Sequence, residues 1–335
     1  MLPLAAQSVV SQKRGAAVGK KVIKPKRLAP GATVGLIAPS SAVSPEGFEK
    51  ALQTMKDLGL NAKIGPSARG EKGFLSGTDE ERLHDLHWAF SDPEIDAVWC
   101  ARGGYGLSRL LPAVDFALIR KNPKIFIGYS DITALHVAIF QNTGLVTFHG
   151  PVAASTFSDY AKTHVTNALM NPTAPYKIAL SDYNQAQASP LFKTEVITPG
   201  QCRGPLIGGN LSLLSAMAGT PFGLKNLQGK ILFMEDIEER PYRVDRMLTQ
   251  LRQSVDLRSL AGIALGVFEG CNPPAGPPSQ TVQDVLKDRL GDLGIPVIYG
   301  LSFGHIRDQF TLPVGIEAEL DTEKATVTLL ETGVS

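Results

Sequence analysis

Short apolar runs alternate with stretches of helical spacing through the first half of the chain. Thr33 to Ala38 is an apolar run ending in Pro39-Ser40-Ser41, and Pro45 to Leu58 follows with an amphipathic helical pattern. Asn61 to Ile64 predicts a second strand, and Glu80 to Phe90 a helix for which Thr78 and Asp79 are available caps. Ile95 to Ala101 predicts a strand that runs into Arg102-Gly103-Gly104-Tyr105-Gly106, with Leu107 to Leu111 starting the next helix. Ile125 to Ile127 is a short β-branched and aromatic run, followed by Gly128, Tyr129, Ser130 and a helix opening at Asp131. Leu145 to Phe148 closes the series before His149-Gly150-Pro151. Such alternation predicts an α/β fold of Rossmann-like type, a parallel sheet covered by helices on both faces.

The second half is patterned differently. Gly204 to Asn210 predicts a Gly-rich turn leading into a helix over Leu211 to Ala218. Lys230 to Met234 predicts a strand, Tyr242 to Leu251 a helix, and Gly262 to Phe268 and Val297 to Tyr299 further strands. Glu317 to Leu330 alternates as an antiparallel hairpin does. The chain has 335 residues, more than most single cores hold, so two domains are expected. Residues 27–153 form the first and 199–335 the second. Residues 154–198, which include Asn171-Pro-Thr-Ala-Pro175, are expected to connect them.

Composition narrows the function classes. At 43% apolar and 19% charged residues the chain reads as a soluble globular protein. Lys and Arg total 33 against 32 Asp and Glu, so the formal charge of +1 calls for neither nucleic acid nor an anionic membrane. No apolar run approaches the 18 residues of a membrane span. Cys100, Cys202 and Cys271 are few, scattered and odd in number, which suggests neither a disulfide framework nor a zinc site. Residues 1–26 place Lys13, Arg14, Lys20, Lys21, Lys24 and Lys26 after a short apolar start, the reverse of a secretory signal. They read as a flexible tail or a leader remnant, so a cytoplasmic location is expected, with export as the alternative.

In sheets of this type ligands collect beyond the carboxyl ends of the strands, where Ser40, Gly104 and Ser130 all fall. A hydroxyl on a strand-to-helix elbow lies beside backbone N–H groups that can stabilise an oxyanion. Ser130 is thus either a nucleophile or simply a helix N-cap. A serine nucleophile needs a base held by an acid. His84, His87 and His136 lie in predicted helices, and His84 with His87 lacks a third metal ligand, so no metal is expected. His305 follows Leu301-Ser-Phe-Gly304 on a loop and is the preferred base, with His149 the runner-up. Glu235 follows four apolar residues, so its charge needs a partner, either the base or Arg240, Arg243 or Arg246. Gly103 to Gly106 gives only a weak nucleotide signal, because the G-x-G-x-x-G frame and its acid are incomplete.

Several motifs in fixed order resemble the LD-carboxypeptidase family of serine peptidases, which includes the microcin C immunity hydrolases. They are Gly77-Thr-Asp-Glu-Glu-Arg82 with Asp85-Leu-His-Trp-Ala-Phe90, Ala101-Arg-Gly-Gly-Tyr-Gly106, and Gly128-Tyr-Ser-Asp-Ile-Thr-Ala134. Gly204-Pro-Leu-Ile-Gly-Gly-Asn-Leu211, Glu235-Asp236 with Tyr242-Arg-Val-Asp-Arg-Met-Leu248, and Gly304-His305 continue the series. The resemblance covers residues 22 to 330. It implies a second domain of mixed α/β type rich in β structure, a homodimer, and no metal or other cofactor. It implies Ser130 as nucleophile, Glu235 as acid, His305 as base, and the amides of Gly104 and Asp131 as oxyanion donors. The implied substrate is the peptidoglycan tetrapeptide, cut at its terminal D-alanine; the alternative is a peptide–nucleotide conjugate, as for the immunity hydrolases. Arg102, Arg203 and Asn210 are candidates for holding the substrate's carboxylate.

Overall fold

The computed structural model describes residues 21–273, 275–276 and 278–335. Two sheets organise the chain. The first half supplies β1 (Thr33–Ile37), β2 (Asn61–Ile64), β3 (Ala97–Cys100), β4 (Ile125–Gly128) and β5 (Thr147–His149). The rest supplies β6 (Tyr176–Ile178), β7 (Glu195–Thr198), β8 (Gln201–Asn210), β9 (Ile231–Ile237), β10 (Gly262–Glu269), β11 (Val297–Leu301), β12 (Leu312–Val314), β13 (Glu317–Asp321) and β14 (Thr326–Leu329).

The first sheet runs β12-β5-β4-β3-β1-β2. Its first five strands in sequence are mutually parallel, and β12 pairs antiparallel with β5, returning from the far end of the chain. Strands β3 and β4 are buried throughout, as expected where helices cover both faces. The order of β1 to β5 reverses between β1 and β3, the position where doubly wound sheets open a ligand crevice. The expected helices are present at Pro45–Asp57 and Asp79–Ser91. The second begins with a reciprocal capping box between Thr78 and Glu81.

The second sheet runs β6-β14-β13-β8-β9-β10-β11-β7. Its centre, β8 to β11, is parallel and its flanks are antiparallel. Residues 204–210, expected as a Gly-rich turn, are instead the carboxyl-terminal part of the ten-residue β8. The glycines are there for close approach: a Cβ on Gly208 would lie 1.9 Å from the Phe233 carbonyl oxygen, and one on Gly204 2.0 Å from that of Gly229.

Residues 154–198, expected as a connector, hold a helix over Asp159–Leu169 and contribute both edge strands, β6 and β7. Of the expected tail, residues 1–20 lie outside the described residues, while Ile23 bridges in parallel to Leu145 and Lys24 pairs with Glu331. No helix among the described residues is long and apolar enough to cross a membrane.

Candidate active site

Three loops at the carboxyl ends of β1, β3 and β4 are tied together by short polar bonds. The Ser40 hydroxyl donates to the Asp131 carboxylate at 2.7 Å, and the Leu107 amide donates to the same oxygen at 3.0 Å. The Tyr105 amide donates to the Ser41 hydroxyl at 3.1 Å. Ser40, Gly104 and Ser130 therefore share one rim. Asp131 is almost wholly buried, and that burial pushes its carboxyl above the usual range despite these donors.

Ser130 sits in the left-handed region at φ 64°, uncommon for a residue with a Cβ. Such a conformation costs on the order of 1 kcal/mol and persists only where its surroundings enforce it. Its neighbours on both sides are closely held. A Cβ on Gly103 would lie 3.0 Å from the Ser130 Cβ, and the helix Thr133–Thr143 is anchored by Thr133, whose hydroxyl accepts from the Asn210 amide at 2.9 Å. Gly104 adopts φ 112°, and its amide enters no loop or turn bond among the described residues. The Asp131 amide lies in the first turn of a helix, where N–H groups lack helical acceptors. Among the described residues neither amide is engaged by another backbone carbonyl.

Glu235 comes from the second sheet and His305 from the loop that follows its strand β11. Glu235 lies in β9, directly beside Asn210 of β8 in the parallel register, and is fully buried. Its Oε2 accepts from His305 Nδ1 at 2.6 Å, leaving Nε2 as the free nitrogen of a ring whose side chain is 12% exposed. Gly304 makes this approach possible: it takes φ 114°, and a Cβ there would lie 3.2 Å from Glu235 Oε2.

Burial alone favours the neutral forms of both partners. The pairing outweighs it, lowering the Glu235 carboxyl and raising the His305 imidazole. Glu235 is bonded to none of Arg240, Arg243 or Arg246, which are all exposed.

The two sets of residues meet through Tyr129. Its ring packs against that of His305 with centroids 4.7 Å apart, one residue before Ser130. No direct hydrogen bond joins Ser130 to His305 among the described residues. Tyr129 was not singled out from the sequence, although its place next to the elbow serine was the available signal. Asp236, next to Glu235, is a further polar residue of this region that the sequence did not single out. It is buried, accepts from the Asn210 side-chain amide, the Ser212 hydroxyl and two backbone amides, and burial pushes it up to about 6.

The three candidate carboxylate binders separate. Arg102 is exposed on the Gly103–Gly104 loop, with one guanidinium nitrogen on the Ala42 carbonyl at 2.9 Å. Asn210 is buried and committed, donating to Asp236 and accepting from the Leu213 amide as a helix cap. Arg203 stands at the other end of β8, paired with Glu319 at 2.7 Å. Seven residue steps of strand separate it from Asn210, roughly 23 Å, so it is not brought to the site. His149, the runner-up base, is wholly buried between the sheets, and burial drives it down to about 4. Among the described residues no group of three His, Cys, Asp or Glu is arranged to hold a metal.

Comparison with known proteins gives the family. The profile described as the LD-carboxypeptidase N-terminal domain matches residues 34–150, and that described as the LD-carboxypeptidase C-terminal domain matches residues 203–320. A probable murein peptide carboxypeptidase of Bacillus subtilis is 43% identical over 312 residues, covering 93% of this chain and 95% of the relative. A murein tetrapeptide carboxypeptidase of Pseudomonas aeruginosa is 35% identical over 299 residues, covering 86% and 92%. The solved structure of a microcin C7 self-immunity protein, MccF, superposes with a TM-score of 0.83 at 26% identity, covering 93% of this chain and all of that one.

Proposed function

The chain belongs to the LD-carboxypeptidase family of serine peptidases, and from that premise we propose that it removes the terminal D-alanine from peptidoglycan tetrapeptides through Ser130, His305 and Glu235. The observation that carries this reading is the buried Glu235–His305 pair at 2.6 Å, packed through Tyr129 against a serine in a strained elbow.

His305 Nε2 takes the Ser130 proton as the hydroxyl attacks the scissile carbonyl, and Glu235 holds the ring and stabilises its charged form. The oxyanion is met by the amides of Gly104 and Asp131; losing one such donor costs about 3 kcal/mol, roughly a hundredfold in rate. The tetrahedral intermediate collapses, His305 returns the proton to the departing D-alanine amine, and an ester to Ser130 remains. Water then attacks the ester with His305 again as base, releasing the tripeptide. In this reading residues 27–153 supply the nucleophile and residues 199–335 the acid and base. Arg102 is the candidate left in position to hold the substrate's free carboxylate.

Digested muropeptides analysed by mass spectrometry test the substrate. Loss of one alanine from tetrapeptides but not pentapeptides is expected, and trimming of both equally would point to a general peptidase. A cytoplasmic homodimer completes the reading, to be checked by fractionation and sedimentation velocity.

A second reading has one observation in its favour. Phe74 and Tyr105, 65% and 50% exposed, form an edge-to-face pair 5.5 Å apart next to Gly104, where an aromatic base can stack. Trp99 is buried in one hydrophobic cluster and Trp88 packs against the other, so neither offers such a platform. Hydrolysis of an aminoacyl sulfamoyl adenosine, abolished by Ser130→Ala, is the outcome that favours this reading; no hydrolysis rejects it.

A further inference from the structure

Several buried polar atoms beside Glu235 have no partner in the protein. Glu235 Oε2 is taken by His305, while Oε1 is buried with no partner at hydrogen-bond distance, the Asn210 side chain easing its charge only from nearby. His149 is fully buried, and neither of its ring nitrogens is bonded. The buried Thr311 hydroxyl is likewise unpaired. A Cβ on Gly150 would be 2.7 Å from its Oγ1, which puts Thr311 on the face of the strand opposite His149 and outside this group. Each such group costs on the order of 1–3 kcal/mol if it stays dry, and an ionised carboxylate more.

The atoms of Glu235 and His149 belong to one neighbourhood. The His149 ring lies 5.3 Å from the ring of Phe233, which points to the same face of β9 as Glu235, two residues on. Tyr129 packs against both imidazoles, at 4.7 Å from His305 and 6.2 Å from His149.

We propose that His149 is a positioning residue, sharing an ordered water with Glu235 Oε1 and so fixing the carboxylate in the orientation that serves His305. The proposal rests on the Ser130–His305–Glu235 reading above. A water there meets a carboxylate oxygen and a ring nitrogen, within the two to four polar partners that a buried water needs. The titratable groups facing His149 are Glu235 from β9, His305 from its loop, Tyr129 after β4 and His136 from the helix behind it. Burial keeps the His149 imidazole neutral at ordinary pH, so it offers one donor and one acceptor rather than a second base. It acts through Glu235 and does not touch the reacting atoms.

If His149 only fills space, an apolar ring of similar volume will do as well or better, because a buried polar group is removed. The test compares His149→Phe and His149→Gln with His305→Ala, by D-alanine release from the tetrapeptide across pH and by melting temperature. The proposal expects His149→Phe to melt at or above the wild-type temperature while kcat falls about tenfold to a hundredfold, with KM little changed. The acidic limb of its rate profile should move to lower pH, as Glu235 loses hold of its charge. His149→Gln, which keeps a donor, should recover most of the rate and the limb.

Wild-type kcat in His149→Phe beside an inactive His305→Ala overturns the role of His149 alone. Full activity of His305→Ala removes the relay itself. Should His149→Phe fail to fold, nitrogen-15 imidazole NMR decides the matter. Glu235→Gln must shift the His149 resonances and leave those of His164 in place, and unmoved His149 resonances refute the link.

Discussion

Replacing Glu235 by Gln keeps the shape of the side chain and removes its charge, which separates an orienting acid from a structural ion pair. The carboxylate is fully buried and holds His305 Nδ1 at 2.6 Å. With an effective dielectric of about 20, Coulomb's law makes the attraction between that carboxylate and an imidazolium roughly 6 kcal/mol. Most of it is realised only when His305 takes the Ser130 proton. An amide can also donate to Nδ1 and so favour the wrong tautomer, which in serine peptidases costs about 10⁴ in rate. The variant should therefore lose about 10³–10⁴ in kcat on the murein tetrapeptide, with KM changed by only a few-fold.

Stability should move little, by about 1–2 kcal/mol, because the amide preserves packing and one hydrogen bond. The pH profile supplies an independent sign. In the wild type the carboxylate raises the His305 pKa above 6.5, and the protonated ring cannot act as base, so kcat/KM falls as pH drops through that raised value. Without the carboxylate the residual activity should have its acidic limb at lower pH. D-alanine release measured from pH 5 to 9, with melting curves on the same samples, reads all three quantities. Activity within tenfold of wild type together with a large loss of melting temperature would refute the orienting role.

The other consequences are independent of that substitution. Arg102→Ala should raise KM with a loss of about tenfold to a hundredfold in kcat/KM, the worth of one charged hydrogen bond, while Arg203→Ala at the far end of β8 changes neither; steady-state kinetics on the tetrapeptide distinguishes them, and the reverse pattern rejects the assignment. Gly104→Ala would bring a Cβ within 2.3 Å of the Ser41 hydroxyl at a φ of 112°, so the loop must move and kcat should fall about a hundredfold, provided its amide is an oxyanion donor; unchanged kcat would remove that donor. His149 and His164, both lowered to about 4, and His136, lowered to about 3, are buried neutral in the fold but gain protons near pH 6.5 when unfolded. Stability present above pH 6.5 is thus lost as pH falls toward 4, at about 1.4 kcal/mol per pH unit for each histidine. Urea titrations at successive pH values check this, and a flat midpoint from pH 6.5 to 4.5 would contradict it.

Local signals in the sequence were strong where one short segment carried the whole geometry. The apolar run Ile125–Ile127, the glycine after it and the helix beyond were enough to locate the Ser130 elbow, and Gly304 before His305 is the residue that lets the imidazole approach Glu235. What was hidden depended on partners distant in the chain. Glycines 204, 208 and 209 resembled a turn because a turn is the usual local reason for such a cluster. Here they sit in an extended strand whose neighbour, β9, and the hydroxyl of Thr133 leave no room for a Cβ. The edge strands β6 and β7 are three and four residues long, too short to give a period, so residues 154–198 looked irregular. Asn210 and Arg203 share one strand, and only its length shows that a single substrate carboxylate cannot meet both. The contact of Tyr129 with His305 joins residues from opposite halves and had no sequence pattern of its own.

The central claim is that Ser130 is the attacking nucleophile. A serine-directed phosphonate followed by peptide mapping tests it most directly. The account predicts a single adduct on Ser130 in the wild type, with labelling lost in Ser130→Ala and strongly slowed in His305→Ala. An inactivated enzyme with its adduct on another residue, or one labelled equally fast without the imidazole at 305, would contradict it.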